Sequence, residues 1–333
     1  MKHINVALFV PDEGCPNRCS FCNQKTISGK TKRLEPHEVD RAVEVALNGN
    51  RDTSEGEIAF FGGSFTAIER EYMLSLLQKA KAYVDEGLFK GIRISTRPDC
   101  IDDEVLCILK KYGVTSIELG CQSMDERVLM MNNRGHDSGC VITSAKLIKE
   151  YGFELGVQMM TGLYGDTDET AVETAKKLIS LSPDTVRIYP TVVLENTELH
   201  RLYLKGEYEP QSVDSAVHIC AVLIRMFENA GVKVIRVGLH SGGNVDEGFV
   251  AGAFHPAFKE LCDGKIYLNE VLNQIKEKKI VGGAIEIKVA PRYISALTGQ
   301  KKCNVNRLLQ MGYSVKIEKQ NELEKYQVEV RGL

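Results

Sequence analysis

From residue 4 to about 237 the chain alternates short apolar runs with amphipathic stretches, and this alternation restricts the fold more than any other feature. Strand candidates lie at 4–10, 57–61, 91–95, 116–120, 154–159, 185–189 and 232–237. Most are continuous apolar runs of the kind buried on both faces of a parallel sheet. Helical stripes separate them. The stretch after Asp102 puts Val105, Ile108, Leu109 and Tyr112 on one face. The stretch after Asp166 opens on an Asp-x-x-Glu capping pattern and turns Ala171, Val172, Ala175, Leu178 and Ile179 toward a sheet. Repeated βα units with right-handed crossovers make a parallel sheet that closes or partly closes into a barrel. A length of 333 residues suits one such barrel plus an appendage.

Parallel barrels carry their chemistry on the loops that follow the strands. Here those loops are distinctive. The first strand leads into residues 11–24, with Cys15, Cys19 and Cys22; Gly62-Gly63-Ser64-Phe65 follows the second and Ser95-Thr96-Arg97-Pro98-Asp99 the third. Cys121-Gln122-Ser123 follows the fourth strand and Gly162-Leu163-Tyr164-Gly165 the fifth. Thiolates are soft ligands, and three of them in an eight-residue loop wrap one corner of an iron–sulfur cubane, leaving one iron open to a small molecule. The same cysteines suit a zinc site completed by His3 or His37, or a disulfide framework. Zinc binding does not explain five special loops on one rim.

The seven other cysteines lack ligand spacing and read mostly as small buried core residues, so no second cluster is expected. Ten in all are too few for a disulfide scaffold in a chain of this length. A net charge of −3 gives no bulk attraction to nucleic acid or membrane, so any such contact must be local. The first ten residues carry no cleavage-site pattern, and no apolar run approaches the roughly 18 residues of a membrane span. A cytoplasmic protein without membrane contact is expected.

Beyond about 250 the pattern changes. Residues 282–289 alternate cleanly, as do 315–318 and 326–331, with a helix around 302–311. This reads as an antiparallel sheet with one wet face, in a small α+β appendage that begins at about 266. Residues 276–319 hold ten lysines and arginines against three glutamates. Such a surface would track phosphates or serve as a solvated face.

The spacing C-x3-C-x2-C with Phe21 before the last cysteine resembles the radical S-adenosylmethionine (radical SAM) enzymes. With Gly62-Gly63-Ser64, residues 95–99 and 118–123, and Asn133-Arg134-Gly135-His136, it is similar to the branch holding the Elongator catalytic subunit and oxygen-independent coproporphyrinogen oxidase. Arg187-Ile188-Tyr189-Pro190-Thr191 and the stretch 199–208 look most like the Elongator subunit. The resemblance covers roughly residues 1–240. It implies an α/β fold, a partial parallel (β/α)6-type barrel over 1–250 with a small C-terminal α+β accessory domain over 251–333. It also implies a [4Fe-4S] cluster on Cys15, Cys19 and Cys22, with S-adenosylmethionine as the second cofactor.

By the same resemblance Phe21 packs near the adenine and Gly62 and Gly63 let the backbone approach the methionine moiety. Ser64 stands where the commonest family pattern has an acidic residue. Arg134 pairs with the methionine carboxylate, Gln122 and Gln158 reach the ribose, and Tyr189 contacts substrate or relays a hydrogen atom. An external donor such as ferredoxin or flavodoxin supplies the electron, and the 5′-deoxyadenosyl radical takes hydrogen from a substrate, with a tRNA base as the leading expectation. The Elongator subunit spaces its cysteines more widely at the first interval and continues into an acetyltransferase domain, for which the residues after 250 leave no room. The alternatives are a coproporphyrinogen-oxidase-like oxidase, or a haem carrier with His136, His240 or His255 as ligand.

Overall fold

The computed structural model describes residues 5–10, 15, 18–29, 32–49, 52–239 and 245–333. Its strands in chain order are β1 (Asn5–Val10), β2 (Glu57–Gly62), β3 (Gly91–Thr96), β4 (Val114–Gln122), β5 (Glu154–Thr161), β6 (Thr185–Pro190), β7 (Val192–Leu194), β8 (Lys233–Val237) and β9 (Phe249–Gly252). Three more, β10 (Gly283–Val289), β11 (Tyr313–Lys319) and β12 (Glu329–Gly332), lie near the C-terminus. A seven-stranded sheet runs β1-β2-β3-β4-β5-β6-β8, parallel throughout, with β1 and β8 as its two edges. The partial barrel thus has all seven expected strands. A short antiparallel pair, β7 with β9, stands beside it.

Helices cover the outer face of the sheet because that face is apolar. Ile58, Phe60, Ile92, Ile94, Ile117, Leu119, Leu155, Val157, Val186 and Ile188 are all buried there, against residues such as Leu76, Leu106, Ile148, Leu178 and Phe227. The inner face alternates with it and is largely polar, carrying Glu57, Arg93, Glu118, Gln158 and Arg187. Helix starts are fixed by side chains: Asp102, Asp125, Asp137, Thr197 and Ser212 each accept a hydrogen bond from the backbone three residues on. At Asp168–Ser180 the cap is Thr167 and not Asp166 as the capping pattern suggested. Asp166 instead accepts from the Gly162 backbone at 2.9 Å and from the Thr170 hydroxyl, which ties the preceding loop.

The C-terminal sheet has the order β11-β10-β12. It is mixed, with β10 parallel to β11 and antiparallel to β12, where an antiparallel sheet was expected. The reason is the crossover: two short helices, Ile294–Thr298 and Cys303–Gln310, carry the chain back so that β11 starts beside the start of β10. Ile285, Ile287 and Val289 are buried as the alternation implied. The opposite face is not wholly wet, because Glu286 is covered by Lys316 and Arg331, its register partners on the two flanking strands. The helix Phe258–Glu277 packs on Val213–Asn229 of the barrel and also on Ile294–Thr298 and β12. One hydrophobic cluster therefore runs from Phe227 through Tyr267 to Ile287 and Val330. Among the described residues no helix is long and apolar enough to cross a membrane.

Candidate active site

The rim loops meet where the C-terminal ends of the strands converge. Most of residues 11–17 lie outside the described residues, but Cys15 and residues 18–29 are placed. The loop is pinned at Ser20, which is fully buried: its hydroxyl donates to Asn132 Oδ1 at 2.7 Å and its backbone N–H to the Asn132 carbonyl at 3.1 Å. The Asn132 amide in turn donates to the carbonyls of Val128 and Tyr164. Leu199 N–H closes the other side onto the Ser20 carbonyl. Phe21 packs between this loop and the cluster of Val193, Leu199, Leu202 and Tyr208 while lining the adjoining cavity. It is both an anchor and a wall.

That cavity is about 340 Å³ and brings together most of the residues expected from sequence: Phe21, Cys22, Gly62, Gln122, Gln158 and Tyr189. Gly62 has φ +123°, and a Cβ there would stand 2.1 Å from the Val10 carbonyl, so β1 and β2 can end side by side only with glycine. Ser64 is turned away from the opening. Its hydroxyl is engaged with Thr96 Oγ1 at 2.8 Å and with the Arg97 N–H at 3.1 Å, which braces the second and third loops together. Gly63 donates to the Val10 carbonyl. Gln122 has φ 65° at an irregularity in the β4–β5 register, which turns its amide off the ladder; its Oε1 is buried without a hydrogen-bond partner.

Arg134 follows a short helix, Glu126–Met131, through the left-handed turn at Asn133. It is 5% exposed, so the surface ion pair that a helical arginine usually makes is absent. Its Nη1 donates to Cys19 Sγ at 3.0 Å and its Nη2 to the Gly120 carbonyl at 2.5 Å, while Nε has no partner. Arg97 is held bidentately by Asp99, donates to the Arg134 carbonyl, and is close enough to Cys15 and Cys19 to feel both thiols. Its Nη1 is also buried and unpaired.

Two guanidinium groups beside soft thiols, with polar atoms left open around them, fit an anionic thiolate-bound group. Among the described residues no three His, Cys, Asp or Glu side chains already stand together as a metal cage. The three cysteines share one loop, and the structure brings Cys19 to Arg134 and Cys22 to the Gln24 amide.

Below the cavity lies a layer that sequence reading missed. Glu118, 1% exposed, accepts from Arg187 Nε at 2.5 Å and Nη2 at 2.8 Å and from the Gln158 amide at 2.9 Å. Arg93 spans Glu57 at 2.6 Å, Glu154 at 2.7 Å and Glu118 at 3.4 Å. Tyr189 stands over this layer beside Arg187, and burial raises its phenol above the ordinary value although Arg187 opposes the shift. Arg236 also faces the cavity. Among the described residues it donates only to the Gly238 carbonyl, at 3.2 Å, and burial holds its guanidinium below its ordinary range.

The described histidines do not assemble. His136 Nε2 takes a hydrogen bond from Arg134, and burial first, Arg134 second, lowers its pKa. His255 Nδ1 accepts from the Ala257 N–H at the start of the helix Phe258–Glu277. His37 is exposed on the helix Pro36–Leu47, near Asp40. His3 and His240 lie outside the described residues.

The family model for the radical SAM superfamily matches residues 10–178, and that for the radical SAM C-terminal domain matches 183–267. Both end before β10. The chain is 26% identical over 254 residues to a tRNA uridine(34) acetyltransferase of Methanocaldococcus infernus, covering 64% of this chain and 48% of the relative. It is 29% identical over 215 residues to Elongator complex protein 3 of Saccharomyces cerevisiae, covering 58% and 39%. It thus spans about half the length of these relatives or less. Among solved structures, archaeal Elp3 of Methanocaldococcus infernus with an N-terminal deletion superposes with a TM-score of 0.62 over 83% of this chain and 64% of that one, at 21% identity, a likeness of fold.

Proposed function

Because the chain belongs to the radical SAM superfamily, we propose that it is a radical enzyme acting on a nucleobase of RNA, with Cys15, Cys19 and Cys22 holding a [4Fe-4S] cluster and the cavity receiving S-adenosylmethionine. When bound and reduced, that pair of cofactors supplies a 5′-deoxyadenosyl radical able to take hydrogen from a C–H bond. The observation that carries the reading is Arg134, a buried guanidinium set against Cys19 Sγ with Nε still unpaired. A fixed fork of this kind suits a carboxylate, and the amino-acid end of S-adenosylmethionine offers one beside the cluster.

The other residues then have distinct tasks. Gln122 Oε1 accepts from an amine or hydroxyl of the cofactor, Gln158 holds the ribose edge while tied to Glu118, and Phe21 covers the adenine. Gly62 and Gly63 leave the rim low enough for a close backbone approach, and Ser64 keeps that rim rigid. Tyr189, kept as a neutral phenol, presents an O–H to the substrate. Arg236, without an acidic partner among the described residues, offers donors to carbonyl oxygens of a pyrimidine.

RNA is favoured as the substrate class because relatives carry tRNA uridine(34) and Elongator in their names, and because the C-terminal appendage is basic. An external one-electron donor of the ferredoxin or flavodoxin type completes the cycle. The test is anaerobic reconstitution with iron and sulfide, then reduction with S-adenosylmethionine and a transfer RNA transcript deuterated in its uridines. Release of 5′-deoxyadenosine that carries deuterium is expected. A protein that holds zinc in a full tetrahedron, or that releases no 5′-deoxyadenosine, would end the proposal.

A further inference from the structure

The appendage contains a unit that the barrel's chemistry does not use. Between β10 and β11 two short helices, Ile294–Thr298 and Cys303–Gln310, are joined by Gly299-Gln300-Lys301-Lys302. The turn is tightly determined. Gly299 has φ 78°, and a Cβ there would lie 2.6 Å from Cys303 Sγ. Asn304, buried, donates to the carbonyls of Gly264 and Leu297 at 2.8 and 2.9 Å, which fastens the turn to the helix Phe258–Glu277. Lys301 and Lys302 are both held left-handed, at φ 51° and 60°, a conformation that disfavours side chains with a Cβ.

Both lysines are exposed, and among the described residues neither makes an ion pair or hydrogen bond through its ammonium. The same holds for Arg307 and Lys319 in the same unit. Residues 276–319 carry ten cations against three glutamates, and Glu286 and Glu318 are both taken up by Lys316. The turn therefore presents positive charge that no ion pair among the described residues takes up. Beside it, Val305 and Leu309 share one face of the helix Cys303–Gln310, and Leu309 is 61% exposed. Cationic turn and aliphatic strip lie together.

We infer that this turn is a binding site for a single-stranded segment of RNA, with Lys301 and Lys302 on its phosphates and Val305 and Leu309 under its bases. A glycine-containing turn between two helices clamping the sugar–phosphate chain is a known way of holding single strands, and bases free of a duplex are those able to turn onto an apolar strip. The left-handed backbone at Lys302 occupies the place a second glycine takes in such clamps. An A-form duplex keeps its bases stacked inside and gives the strip nothing to cover. The strip is aliphatic and not aromatic, so weak base preference is expected. The choice of RNA over other polyanions rests on the reading of the barrel given above.

The experiment is fluorescence anisotropy of the full chain with a labelled unstructured oligoribonucleotide and, separately, with its duplex. Lys301→Glu with Lys302→Glu should weaken single-strand binding about tenfold and flatten the dependence of log affinity on log salt by about 1.4, or 0.7 for each lost phosphate contact. Lys301→Gly with Lys302→Gly removes the charge while easing the left-handed backbone, so it keeps the test valid if the glutamates disturb folding; a smaller loss in the same direction is expected. Lys146→Glu with Lys176→Glu makes the same change of net charge on helices outside the appendage and should leave binding within about twofold of the parent.

Equal losses in the turn and remote variants would overturn the inference, as would duplex bound as tightly as single strand, or no single-strand binding by the parent chain. The release of 5′-deoxyadenosine, read separately on the parent, keeps the two readings apart. Release without turn-dependent binding leaves the barrel's reading standing and ends this one, and turn-dependent binding without release does the reverse.

Discussion

The inner layer of the barrel and its rim are built from the same residue types, yet one is closed and the other open. In the layer, Arg93 meets three carboxylates and Glu118 meets two arginines and an amide. On the rim, Arg134 leaves Nε unpaired, Arg97 leaves Nη1 unpaired and Gln122 leaves Oε1 unpaired, all buried. Burying a polar atom without a partner costs roughly 1–3 kcal/mol, so atoms left in that state beside the cysteine loop, as in Arg134 and Arg97, and in the adjoining cavity, as in Gln122, mark where a ligand's own groups are awaited. A closed network supports the barrel. An open one selects what enters it.

The contrast can be broken in several places. The largest effect is expected from Cys19→Ala, which should abolish iron–sulfur absorbance after reconstitution and with it 5′-deoxyadenosine release; retention of both would remove the basis of the rim's role. In the closed layer, Arg93→Met strands Glu57, Glu118 and Glu154 around a missing cation and should cost about 3–5 kcal/mol in urea unfolding. A loss under about 1 kcal/mol would show that the layer is not the support claimed for it. Arg134→Gln should change unfolding far less but weaken S-adenosylmethionine binding about 10- to 100-fold, the worth of a charged hydrogen bond of about 1.5–3 kcal/mol, by equilibrium dialysis. Equal binding by parent and variant would move the carboxylate elsewhere.

The smallest effect concerns pH, and it has opposite signs in the two regions. Burial is the largest influence on Glu57 and would raise its pKa, but Arg93's charge together with hydrogen bonds from Ser116, Arg93 and Thr115 outweighs it and holds the group below the ordinary 4.5. Its contribution to stability is therefore full above 4.5 and lost as pH falls below it. For Asp166 on the rim burial prevails over the hydrogen bonds from Thr170 and Gly162 and pushes it from 3.8 up to about 6. Its contribution is full below 3.8 and lost as pH rises through about 6. Asp166→Asn should flatten stability across that window, seen as unfolding midpoints that no longer drift between its two ends; an unchanged drift would assign it to another group.

Much of this was legible in sequence. The strands could be read because their outer faces are apolar, and the cysteine loop because ligand spacing is local. The inner layer could not, since Glu118 finds Arg93 and Arg187 at separations of 25 and 69 residues, and a charged residue inside an apolar run gives no sign of which neighbour will face it. The Ser20–Asn132 tie spans 112 residues, and nothing local to either residue names the other. Parallel pairing of β10 with β11 was hidden because alternation looks the same in either direction. Placing Arg134 required the fold, since only the left-handed turn at Asn133 aims it inward.

The helix Phe258–Glu277 is wedged between Val213–Asn229 on the barrel and the two-helix unit of the appendage, with apolar side chains continuous across both contacts. It acts as a strut. A strand seized at the lysine turn would be presented to the cavity at a constant stand-off, so the nucleotide reached would be chosen by counting along the strand and not by its identity alone.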